Sequence, residues 1–262
     1  MPAVRTGPVF GLVGQAVVLV ALDRTAGLGA AGWLAGAAYG LALFALLSRG
    51  MDRSGTTTLS PADRVTLLRA TLVGAVTALA AERHQHAAAL VAIASVALAL
   101  DWVDGRVARS TGTVSALGAR FDMEVDAFLL LVLSGCAARY LGDWVLAIGL
   151  MRYAYVVVSL ALPWLRGTLA PRYWRKVVAA TQGVVLVVAV AGVVPTVLAR
   201  VSVAVSLALL VVSFVSCVRL LWPAPQPMPQ PMPQRAAAAR AELRIPLPLP
   251  GPVRATAGAG SR

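Results

Sequence analysis

Asp101-Trp-Val-Asp104-Gly105-Arg-Val-Ala108-Arg109, then eight residues, then Gly118-Ala-Arg-Phe-Asp122-Met-Glu124-Val-Asp126, is the stretch on which the reading of this chain turns. Five of the 11 acidic residues in all 262 lie inside it. A carboxylate at the centre of a membrane helix costs about 2.5–3.5 kcal/mol. The surroundings make that cost relevant, because 59% of the chain is hydrophobic, well above a soluble domain. Acids gathered at one such place are there to be used.

Working outward, the apolar runs are long enough to span a bilayer, which takes roughly 20 residues each. They predict eight spans, at about 8–22, 27–48, 65–82, 86–102, 122–141, 144–165, 177–198 and 201–222, with Gly74, Gly192 and Pro195 inside them. The chain is thus expected to be an all-α integral membrane protein. Its net charge of +12 points first to nucleic acid, but the placement of the 23 basic residues argues otherwise. Most fall on one side of the alternating map, while Arg24, Arg83, Arg139 and Arg200 fall on the other. That is the positive-inside pattern, so both termini are expected in the cytoplasm, with no nucleic-acid partner. Cys136 and Cys217 both lie within spans and read as packing residues, not as a disulfide.

The alternation puts the aspartate stretch at the cytoplasmic edge, between spans four and five. Residues three or four apart share a helix face. Asp101 and Asp104 on one helix, and Asp122 and Asp126 on the next, are therefore expected to face each other as a four-carboxylate cluster. Gly105, Ala108 and Gly118 keep side-chain bulk low beside it. All-oxygen ligands suit Mg²⁺, Mn²⁺ or Ca²⁺, and neither Cys nor His is near in sequence. Two such cations clamp a diphosphate, a carboxylate takes the proton of an attacking hydroxyl, and Arg109 offers bidentate geometry to phosphate. These parts predict phosphoryl transfer at a membrane surface. The alternative is a metal or ion transporter lined by carboxylates, although transporter sites usually lie near mid-membrane and between internal repeats.

The same residues closely resemble the signature of the CDP-alcohol phosphotransferase (phosphatidyltransferase) family at every fixed position. Upstream, Asp63-Arg-Val-Thr66-Leu-Leu-Arg69 is similar to the family's Asn-x-Leu-Thr-x-x-Arg segment, with Asp63 standing where the family has Asn. The resemblance implies a six-helix catalytic core over 60–222, preceded by two extra transmembrane helices in 1–59 and followed by a Pro-rich tail, 223–262, expected to be disordered. It implies a homodimer in the cell membrane that transfers a phosphatidyl group from CDP-diacylglycerol to an alcohol and releases CMP, using Mg²⁺ or Mn²⁺, two per site. Asp101, Asp104 and Asp122 would be metal ligands, and Asp126 a further ligand and the general base. Gly105, Ala108, Gly118, Arg109, Asp63 and Thr66 would meet the donor's nucleotide and phosphates. Arg152, buried in a span, is expected to pair with an anion. With the basic loop holding Arg172, Arg175 and Lys176, it favours a phosphorylated acceptor such as glycerol 3-phosphate or inositol phosphate.

Overall fold

The computed structural model describes residues 6–55, 60–82, 86–111, 116–166 and 173–222, apart from the side chains at 6, 61–62, 104–111, 116, 163, 166, 173 and 175–176. The described residues form eight helices and no strand. They are α1 (Thr6–Ala26), α2 (Ala30–Ser54), α3 (Pro61–Ala81), α4 (Ala87–Thr111), α5 (Ala116–Leu141), α6 (Leu146–Ala161), α7 (Tyr173–Ala191) and α8 (Thr196–Leu221). The tail expected to be disordered, 223–262, lies outside the described residues.

Local chemistry sets the helix ends. Ser60 caps α3: its hydroxyl accepts from Asp63 N at 3.2 Å, and the Asp63 carboxylate accepts from Ser60 N at 3.0 Å. This capping box, with Pro61 in the first turn, satisfies backbone donors that the helix itself leaves open. Gly192 and Pro195 do not lie inside the seventh span as expected. The helix stops at Ala191, Gly192 takes a φ of 65°, and Pro195 caps α8. A glycine in the left-handed region followed by proline is a helix stop, and here the stop overrides the apolar run.

Among the described residues, five helices are long and apolar enough to cross a membrane: Gly7–Ala26, Ala30–Ser54, Asp63–Ala81, Asp143–Ala161 and Thr196–Leu221. Two of the other expected spans are represented by shorter apolar stretches, Ala87–Val103 and Val177–Ala191. Carboxylates and arginines account for the difference: α5 alone carries Arg120, Asp122, Glu124, Asp126 and Arg139. Both α4 and α5 run past the expected spans toward the aspartate end, so Gly105 and Gly118 also lie on helix, while Asp101, Asp122 and Asp126 fall within the spans as expected.

α3 is the hub. In its span 61% of residues are buried, against 17–28% in the other four. Ala70, Val73, Ala75, Val76 and Ala78 are fully buried, because small side chains let neighbouring helices approach closely. Elsewhere polar groups bind helices together. Gln182 on α7 donates to the Ser206 carbonyl at 2.9 Å, and the Ser206 hydroxyl on α8 donates back to Gln182 at 2.7 Å. α5 and α6 meet at Gly149, where a Cβ would lie 2.5 Å from Leu131 Cα.

Candidate active site

Three of the four aspartates are described with their side chains, and the fold brings them together. Asp101 on α4 and Asp122 and Asp126 on α5 each offer a carboxylate oxygen, all within 4.8 Å of one another. At that separation each pair of ionised carboxylates repels by about 3–4 kcal/mol at an effective dielectric near 20. Such a group needs a cation.

The chain supplies one from α3. The Arg69 side chain is 1% exposed, while the three carboxylates are 35–41% exposed. Its guanidinium pairs with Asp101 through one nitrogen and with Asp122 through the other. The second nitrogen also lies 3.1 Å from Asp126 and donates to the Asp122 backbone carbonyl at 3.3 Å. The cation therefore forms the floor, and the carboxylates form an open rim. From sequence Arg69 closes the Asp63–Arg69 segment and lies within a predicted span, with no role at the aspartates assigned to it. The signal that could have found it is the cost of burying an arginine there, which demands an anionic partner.

Three carboxylates against one guanidinium leave a formal charge of −2. That balance and the hard oxygen donors fit a divalent cation of the Mg²⁺ or Mn²⁺ type. Asp101, Asp122 and Asp126 would hold it, and it would neutralise charge on a phosphate. Asp104 lies three residues past Asp101 on α4, but its side chain, like those of Ala108 and Arg109, is outside the described set, as is Gly105 beyond its place on the helix. Gly118 sits four residues before Asp122 on α5, half-buried.

The remaining expected contacts are distributed differently. The Asp63 carboxylate serves the α3 capping box. Its presence in place of Asn thus has a local structural explanation, since a carboxylate is a strong acceptor for backbone N–H groups. Thr66 is buried on α3, three residues before Arg69. Arg152 on α6 does pair with an anion, but that anion is Glu124 of α5, the fifth acid of the stretch. Its other terminal nitrogen lies 2.8 Å from Met123 Sδ, and its Nε is buried without a partner. Arg175 and Lys176 begin α7 with side chains outside the description, and Arg172 lies outside the described residues altogether.

A helical bundle of membrane-spanning length, with a carboxylate centre shared by two helices, defines an integral membrane protein suited to chemistry on phosphate. Over residues 59–215 the chain matches the family model described as CDP-alcohol phosphatidyltransferase, and it belongs to that family. Neither the curated proteins nor the solved structures gave a match. Membership makes the chain a transferase of substituted phosphate groups in phospholipid synthesis. The family is in general dependent on divalent metal, in keeping with the cluster.

Proposed function

We propose that the protein transfers a phosphatidyl group from CDP-diacylglycerol to a small alcohol and releases CMP. The observation that carries this reading is the outward-facing Asp101–Asp122–Asp126 cluster on the buried Arg69. The acceptor oxygen attacks the phosphorus next to the diacylglycerol, the bond from that phosphorus to the CMP oxygen breaks, and the hydroxyl proton passes to a carboxylate. Asp126 is the base. It belongs to the cluster and is 41% exposed, so an incoming hydroxyl can reach it. Asp104 completes the metal ligands, and Gly105, Ala108, Arg109 and Gly118 receive the nucleotide and its phosphates. A bound Mg²⁺ or Mn²⁺ supplies charge neutralisation at the diphosphate, and two such ions are expected per site.

The acceptor is a phosphorylated polyol such as glycerol 3-phosphate or inositol phosphate. Arg152 supports this, since among the described residues it pairs with a Glu124 that is 47% exposed, a partner an incoming phosphate can displace. The basic segment with Arg172, Arg175 and Lys176 adds attraction for anions. The aspartate end faces the cytoplasm with both termini, as the arginine asymmetry implies, and the enzyme works as a homodimer in the cell membrane.

The test is direct. Purified protein, CDP-diacylglycerol and Mn²⁺ or Mg²⁺ are incubated with a panel of neutral and phosphorylated alcohols, and CMP is measured. Release with a phosphorylated polyol, abolished by EDTA, is expected. Folded, metal-loaded protein that releases no CMP with any alcohol would refute the transfer, and preference for a neutral alcohol would refute the acceptor assignment. Divalent uptake into proteoliposomes without CMP release would instead favour the transporter reading.

A further inference from the structure

The N-terminal hairpin lies almost wholly before residue 59, where the family match begins, yet α2 touches the catalytic helix twice. A Cβ on Gly50 of α2 would lie 2.7 Å from Leu117 Cδ1 of α5, so the two helices are in close contact there. Tyr39 of α2 packs on Phe128 of α5, with ring centroids 5.1 Å apart at 37°. On each helix the two contact residues are eleven positions apart, about 16 Å of rise, and the numbers run in opposite senses. α2 and α5 therefore lie antiparallel and in register along the segment that carries Gly118, Asp122 and Asp126. Eleven residues bring a helix back to nearly the same face, which puts Leu117 and Phe128 on one stripe and the two aspartates well around from it.

The hairpin is itself held firmly to the hub. α2 buries Gly32, Gly36 and Gly40 and then Leu43, Leu47 and Met51, one side chain per turn. Its Gly36 meets Leu19 of α1 and Ala78 of α3. Gln15 of α1, 2% exposed, is wedged between Gly40 and Gly74 of α3, so close to Gly74 that a Cβ there would fall 2.2 Å from Gln15 Oε1. The Glu82 carboxylate at the end of α3 accepts from Gly32 N at 2.7 Å, at the first turn of α2. Tyr39 lies at the junction, within electrostatic reach of Arg69 on α3 and Tyr153 on α6.

We propose that α2 is a backing strut for α5, with Tyr39 and Gly50 as positioning residues that hold Asp122 and Asp126 in register with Asp101 and Arg69. The metal-binding role of those aspartates rests on the transfer reading above; the strut itself does not. Helices outside the matched core thus become part of the active centre instead of a membrane anchor.

The experiment uses the full chain in nanodiscs, with Tyr39→Leu, Gly50→Leu and Tyr39→Phe. Hydrogen–deuterium exchange across 117–128 reads the strut, and Mn²⁺ affinity by electron paramagnetic resonance reads the cluster. Tyr39→Leu and Gly50→Leu are expected to speed exchange in that segment several-fold and to weaken Mn²⁺ binding about tenfold, the usual effect of losing a support behind metal ligands. Tyr39→Phe, which keeps the ring on Phe128, is expected to restore both. Unchanged exchange and unchanged Mn²⁺ affinity in both leucine variants would overturn the proposal. If Gly50→Leu does not fold, Tyr39→Leu against Tyr39→Phe decides the proposal by the same two measures, and equal exchange and Mn²⁺ affinity in those two variants would overturn it. Native protein that binds no Mn²⁺ would sink the transfer reading, whereas exchange in the variants would still decide the strut.

Discussion

At the scale of single residues, the site is a balance between one buried cation and a ring of acids. Asp126→Asn removes the proposed base with little change in shape. It is expected to cut CMP release by about 10²–10⁴-fold while sparing most nucleotide binding, measured by turnover and by equilibrium titration. Arg69→Gln leaves three close carboxylates without their fixed partner. The carboxylates left behind are 35–41% exposed and can be hydrated, so the cost falls below the ~3–5 kcal/mol of a fully buried pair, and the variant should melt below the native protein in EDTA. Mn²⁺ should then raise its melting temperature more than it raises that of the native chain, because the metal replaces the missing charge. An equal Mn²⁺ effect in both proteins would show that Arg69 does not share the cluster's charge. For Arg152→Ala, the KM for a phosphorylated acceptor should rise about tenfold or more, the loss of a charge-assisted contact, with the donor KM little changed. The reverse pattern would remove Arg152 from the acceptor site.

At the scale of elements, position follows from where helices start, stop and touch. The aspartates were legible because helical periodicity is local: spacings of three and four fix a shared face without any knowledge of the fold. α3 starts at Pro61, before the expected span at about 65, because Ser60-Pro61 with Asp63 is a start signal that the apolar run alone does not show. The stop at Gly192 is hidden in sequence by an apolar run that continues through it. Close helix crossings are invisible to periodicity, and Gly149 is the clearest case. Its missing Cβ lets α6 lie against the backbone of α5, where Ser134 Oγ would also be only 2.5 Å away. Backbone cannot yield as a side-chain tip can, so Gly149→Ala is expected to destabilise by about 1–3 kcal/mol. Thermal unfolding in detergent should show a melting temperature several degrees lower, and an unchanged value would mean that α6 shifts freely.

At the scale of the whole molecule, α3 unites the parts. It is the most buried of the five helices long enough to span a membrane, it carries Arg69 into the site, and it anchors the hairpin through Gly74 and Glu82. The proline-rich stretch after Trp222 lies beyond the family match, which ends at residue 215. A chain ending at residue 222 keeps the whole matched segment and is therefore expected to keep CMP release within about twofold of the full-length rate. A large loss would assign the tail a catalytic or assembly role.

The sequence by itself determined that this is a helical membrane protein with a carboxylate centre for phosphate chemistry. Both facts are written in runs and short spacings along the chain. Only the tertiary structure decided what stands behind and beneath that centre. Arg69 reaches Asp101 and Asp122 across 32 and 53 residues of chain, Arg152 reaches Glu124 across 28, and α2 lies along α5 from outside the family's own segment. Such partners are chosen by which helices pack together, and burial then forces each charge to find its opposite in that packing.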